Sequence, residues 1–123
     1  MQYALLIYEN ESESYPQGEA DPAWMDILNA HNAFGGALHQ SGVLQGGAGL
    51  KSVQTATTVR VSQGDRTVHD GPFAETREQL GGLYLIDVPD LDAAIEWAKK
   101  LPIAQSGAVE IRPMLAPPPQ PGT

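Results

Sequence analysis

His31 stands on the apolar side of a helical pattern, between Leu28 and Phe34. A partly buried imidazole titrates near neutrality and can act as a general base. The plainer alternative is a helix histidine with one nitrogen bonded to backbone or water. Asp70 could orient or polarise His31 across a cleft, as a carboxylate does in a His–Asp pair. It could equally accept backbone amides in an Asx turn. His31 and Asp70 are the candidate catalytic pair, suited to a proton transfer of lyase or isomerase type that needs no cofactor.

Phe73, Glu75, Arg77 and Tyr8 are the candidate ligand-binding residues. Phe73 follows the reversal Asp70-Gly71-Pro72, where a plain surface loop would be polar. It could line a pocket, anchor a dimer, or simply be buried under the loop. Arg77 could hold an anionic substrate or pair with a nearby Glu. Glu75 and Glu78 share one face if their segment is helical. With Asp70 and His69 they could form an oxygen-rich cation site. Four ligands at defined spacing are not evident, so a solvated acidic turn is preferred and no metal is expected. His39, near the end of the same helix as His31, suits the helix-end electrostatics.

These residues need a scaffold of modest size. The chain has 123 residues, enough for one core and too few for two comfortable domains. Its net charge of −8 argues against a nucleic-acid partner, whose phosphates want a basic surface. It also disfavours anionic membranes. There is no cysteine, so thiol and disulfide chemistry are excluded. No apolar stretch approaches the roughly 20 residues that cross a bilayer, and no secretory signal is evident. A cytoplasmic protein is expected.

Residues 2–8 form a short apolar run and are expected as a strand; residues 9–20 are acidic, carry Pro and Gly, and are expected as a surface loop. Asp21-Pro22 supplies a cap and a first-turn proline. Trp24, Ile27, Leu28, His31, Phe34 and Leu38 then recur at helical spacing until Gly42 stops the helix. Val43 to Leu50 is a glycine-rich strand. Thr57 to Ser62 and Arg66 to His69 flank the turn Gln63-Gly64-Asp65 as a hairpin. Leu83 to Val88 is a strand, Asp90 caps a second long helix that Pro102 ends, and Ala108 to Met114 is the last strand. Residues 116–123 are a proline-rich tail, expected to be mobile, behind a single domain over 1–115. The glycine runs Gly46-Gly47-Ala48-Gly49 and Gly81-Gly82 have neither P-loop nor dinucleotide spacing. In strands such glycines mark bulges or close backbone approach, and here they could make room for a ligand.

The order β-α-β, hairpin, β-α-β predicts an α+β, ferredoxin-like βαββαβ fold with an inserted hairpin and two helices on one face of an antiparallel sheet. Tyr3, Leu5 and Ile7 alternate with Ala4, Leu6 and Tyr8, so the first strand is apolar on both faces. A sheet with one wet face should alternate apolar and polar. A second copy packed face to face would cover the other side, giving a homodimer.

The stretch Asp70 to Asp87 (DGPFAETREQLGGLYLID) closely resembles the signature of the DGPF-domain branch of YCII-related proteins. The opening strand MQYALLIY, the segments SGVL and GGAGL, and the last helix and strand extend the likeness over about residues 1–115. The resemblance implies a dimeric α+β barrel. It also implies a catalytic histidine eleven residues before the glycine that ends the first helix, the spacing of His31 from Gly42. Members of this branch are linked to extracytoplasmic-function sigma factors, which implies a stress or signalling context. The expectation is therefore a cofactor-independent small-molecule enzyme using His31 as base; the alternative is a non-catalytic ligand-binding or regulatory module. A purely structural dimerisation domain ranks last.

Overall fold

A computed structural model describes residues 1–104 and 106–116. Among these residues the fold is mixed α+β, with three α-helices and two antiparallel sheets, consistent with a ferredoxin-like arrangement. Of the tail expected over 116–123, everything beyond Ala116 lies outside the described residues.

Strand β1 (Gln2–Glu9) is the spine of the larger sheet. Its side chains alternate between half-buried and buried along its whole length. It pairs antiparallel with β5 (Gln79–Asp87) on one side and β6 (Ala108–Pro113) on the other. β2 (Leu44–Gly49) lies outside β5, giving the order β2-β5-β1-β6. The hairpin of β3 (Thr57–Ser62) and β4 (Asp65–Asp70) forms the second sheet by itself. Its two-residue connection Gln63-Gly64 has positive φ at both positions, the geometry that matches strand twist.

Residues 9–20, expected as a plain loop, are more ordered than that. β1 continues to Glu9, and a short helix α1 (Glu11–Ser14) follows at once. Asn10 caps α1 through its side chain on the Glu13 amide at 3.1 Å. This turn swings Tyr15 inward, where it is buried. Composition alone hides this, because one cap and one aromatic decide it against a background of solvated carboxylates.

Helix α2 (Pro22–Gln40) starts where expected: the Asp21 carboxylate accepts from the Ala23 amide at 3.0 Å, with Pro22 in the first turn. It stops at Gln40, and Gly42 just beyond, with φ of 75°, lets the Val43 amide return to the Leu38 carbonyl. Helix α3 (Leu91–Lys100) is capped by Asp90 on the Ala93 amide at 2.9 Å and carries Lys99 and Lys100 in its last turn.

Phe34 and Leu38 of α2 and Ala94 of α3 pack on Tyr3, Leu5, Ile7 and Ile86 in one core. Both long helices therefore cover the same face of the sheet. Across the strands, Ala4 pairs with Leu85 and Leu6 with Leu83 on the opposite face, all four half-buried.

Candidate functional site

The site lies where α2 crosses the β2–β5 end of the sheet. Period-two alternation carries Glu9 to the same face as Tyr3, Leu5 and Ile7, and Tyr84 to the same face as Gly82 and Ile86. The helix meets this face with His31 and Gly35. A cavity of about 470 Å³ opens there, walled by His31, Tyr84, Glu9, Tyr15, Trp24 and Gly47 among others. Glycine shapes the β2 wall: a Cβ on Gly47 would sit 2.7 Å from the Leu83 carbonyl oxygen and 3.2 Å from the Tyr84 ring. Only glycine lets β2 run this close to β5.

Two hydrogen-bonded pairs stand in this cavity. His31 Nδ1 lies 2.8 Å from the Tyr84 hydroxyl, which is also 3.3 Å from the His31 carbonyl oxygen. The hydroxyl has one proton. Given to the carbonyl, it leaves Nδ1–H as donor and Nε2 as the basic nitrogen; given to Nδ1, it leaves Nε2–H. Nε2 has no hydrogen-bond partner among the described residues in either case. Burial holds the imidazole below its ordinary 6.5, with Glu9 acting in the opposite direction. Burial also raises the Tyr84 phenol.

The second pair is Tyr15 and Glu9. The Tyr15 hydroxyl donates to Glu9 Oε2 at 2.8 Å. Burial first, and then this bond to Glu9, raise the phenol so that it stays protonated. The Tyr15 ring meets Trp24 edge-on at 4.9 Å between centroids. Glu9 is 6% exposed, the one buried charged side chain among the described residues.

Of the candidate catalytic and ligand-binding residues, His31 alone stands on the cavity wall; Gly47, Gly49, Gly81 and Gly82, from the glycine runs expected to make room for a ligand, line it too. Asp70 ends β4, exposed and outside the cavity, and within the chain Tyr84 rather than Asp70 bonds the imidazole. Tyr8 is half-buried and alternates to the sheet face opposite Glu9. Phe73 is 68% exposed; the Arg60 guanidinium lies 5.5 Å from its ring centroid and donates to its carbonyl. Glu75 and Arg77 are exposed. Glu75 borders a second depression that shares Glu11, Tyr15, Glu19 and Trp24 with the cavity. Residue-type reasoning passed over Glu9, Tyr15 and Tyr84. A signal existed for Glu9, the fourth member of the alternation Tyr3, Leu5, Ile7, Glu9.

Antiparallel α+β topology, with a histidine on the first long helix facing a cavity at the sheet, defines a small-molecule-sized site on a widely used scaffold. Residues 1–116 match the YCII-related domain, and the chain belongs to that family. It is 37% identical over 118 residues to a protein of Rhizobium meliloti (strain 1021) described as uncharacterised, covering 93% of this chain and 92% of that one. No helix among the described residues is long and apolar enough to cross a membrane.

Proposed function

We propose that this YCII-related protein, of the DGPF branch, is a cofactor-independent small-molecule enzyme in which His31 is the general base of a proton transfer. The observation that carries the reading is the anchoring of Nδ1 by Tyr84 at 2.8 Å on the wall of a half-open cavity, with Nε2 unpartnered among the described residues. An imidazole held below 6.5 is neutral at physiological pH, and with the Tyr84 proton given to the His31 carbonyl its Nε2 is free to accept a proton. Tyr84 fixes the ring as a positioning residue.

The reading includes a cytoplasmic homodimer. Ala4, Leu6, Leu83 and Leu85 leave an apolar outer face on the sheet, which supports apposition of a second copy. Asp70, Phe73 and Arg77, exposed on the hairpin and its following loop, join the site only through that second copy. A ligand-binding or regulatory role without catalysis is the second reading. It is favoured by one observation: no carboxylate bonds His31 among the described residues.

The test is carbon-bound hydrogen exchange. Small carbonyl compounds would be incubated with the protein in D₂O and followed by NMR. Exchange that disappears in His31→Gln supports the enzyme. Ligand binding without His31-dependent exchange across the panel favours the binding module.

A further inference from the structure

The His31 reading leaves Glu9 without a task, and burying a carboxylate is costly unless its oxygens are satisfied. Oε2 is held by Tyr15. Oε1 has no donor and Glu9 forms no ion pair among the described residues, yet the side chain is 6% exposed and borders the cavity. Its open oxygen is thus available to whatever enters. His31 forms no ion pair with it: Nδ1 is taken by Tyr84, and burial, which favours the neutral ring, outweighs the opposing influence of Glu9.

The surrounding charges point the same way. Glu11 and Glu19 also border the cavity, against Lys51 as the cation on its described walls. Trp24, Ile27 and Leu28 line the rest with apolar surface. Trp24 supplies a ring face of the kind that attracts cations. An anionic ligand would meet the Glu9 carboxylate at close range, whereas an ammonium N–H would satisfy its solvent-reached Oε1 with a charge-assisted hydrogen bond.

We propose that the cavity selects a small amine, its ammonium hydrogen-bonded to Glu9 Oε1 and its hydrocarbon part laid against Trp24, Ile27 and Leu28. This assigns a ligand class to the cavity of the His31 reading and rests on that cavity being the ligand site. Glu9 is the specificity-determining residue, and Tyr15 holds it in place.

Three probes of matched size separate the charge requirement from shape: phenethylamine, 2-phenylethanol and 3-phenylpropionate. Each would be titrated into the full-length protein at neutral pH by calorimetry, with tryptophan fluorescence, to which Trp24 on the cavity wall contributes, as a second readout. The amine is expected to bind about tenfold or more tighter than either other probe, the scale of one hydrogen bond to a buried charge. Glu9→Gln should abolish the preference, and Tyr15→Phe, which keeps the carboxylate but removes the bond that holds it, should reduce the preference without abolishing it. If Glu9→Gln does not fold, the wild-type series and Tyr15→Phe decide. Equal or tighter binding of 3-phenylpropionate, no amine binding up to its solubility limit, or an unchanged preference in folded Glu9→Gln overturns the proposal. Amine selectivity without His31-dependent hydrogen exchange would sink the base and leave this inference standing. His31-dependent exchange with a preference for the carboxylate would do the opposite.

Discussion

His31 and Tyr84 are tied twice, through Nδ1 to the phenol oxygen at 2.8 Å and through the same oxygen to the His31 carbonyl at 3.3 Å. The phenol therefore bridges a side chain and its own backbone, and the imidazole cannot rotate without breaking a contact to the sheet. Tyr84 also packs edge-on against Phe34 at 5.2 Å between centroids, which fixes the phenol in turn. The orientation of the base thus depends on the core of the fold.

The first prediction concerns that bond. Tyr84→Phe keeps the ring packing and removes the hydroxyl. It is expected to cost about 1 kcal/mol of stability, the net worth of one hydrogen bond. His31-dependent hydrogen exchange should fall about tenfold or more through the freed imidazole. Urea unfolding and exchange kinetics on the same variant check the two effects.

The pH dependence follows from the direction of the His31 shift. Burial depresses its folded value below 6.5, so the unfolded chain takes up the proton first. At pH above 6.5 neither state is protonated at this site and the effect vanishes. As pH falls from 6.5 to the lowered folded value, stability is lost progressively. The wild-type loss of stability between about pH 7 and about pH 5 should exceed that of His31→Gln. An NMR titration of the His31 ring should show a midpoint below 6.5; a midpoint above it contradicts the burial seen here.

Tyr15→Phe withdraws the donor from Glu9 while leaving the carboxylate buried. The expected cost is about 1–3 kcal/mol, the penalty of an unsatisfied buried acceptor. The double variant Tyr15→Phe with Glu9→Gln should recover part of that loss. Denaturant melts of the two singles and the double give the coupling directly, and full additivity would contradict the pairing.

Leu38→Ala removes a fully buried side chain from the contact of α2 with the sheet. It should destabilise by about 2–5 kcal/mol. The exposed Val59→Thr on the hairpin should change stability by less than about 0.5 kcal/mol in an isolated chain. A much larger loss for Val59→Thr by thermal melting would mean that the hairpin is covered in solution.

The homodimer is tested on the outer face of the sheet. Leu83→Glu places a charge between Leu6 and Ala48, its cross-strand neighbours. Sedimentation should show the wild type as a dimer at micromolar concentration and the variant as a monomer. A wild type that stays monomeric rules out the assembly.

Most of the architecture could be read from local signals. Asp21-Pro22, Asp90 and Gly42 mark helix ends because caps and left-handed termini are decided within a few residues. Gln63-Gly64 marks the hairpin for the same reason. His31 was legible as a polar residue on an apolar helix stripe. What surrounds it was not, since a stripe says which side of a helix is inward and nothing about which strand residue waits there.

The sequence by itself determined the order of elements, the alternation that sends Glu9 inward, and a histidine on the buried side of the first long helix. Those depend on backbone preference and on the period of apolar residues, which act over short distances along the chain. Tertiary structure alone decided that Tyr84, from a strand 53 residues away, holds the imidazole, and that Tyr15 leaves its acidic loop to hold Glu9. It also left Asp70 outside the cavity within one chain. Register and packing bring distant residues together, and a one-residue slip of β5 would turn Tyr84 to the other face of the sheet.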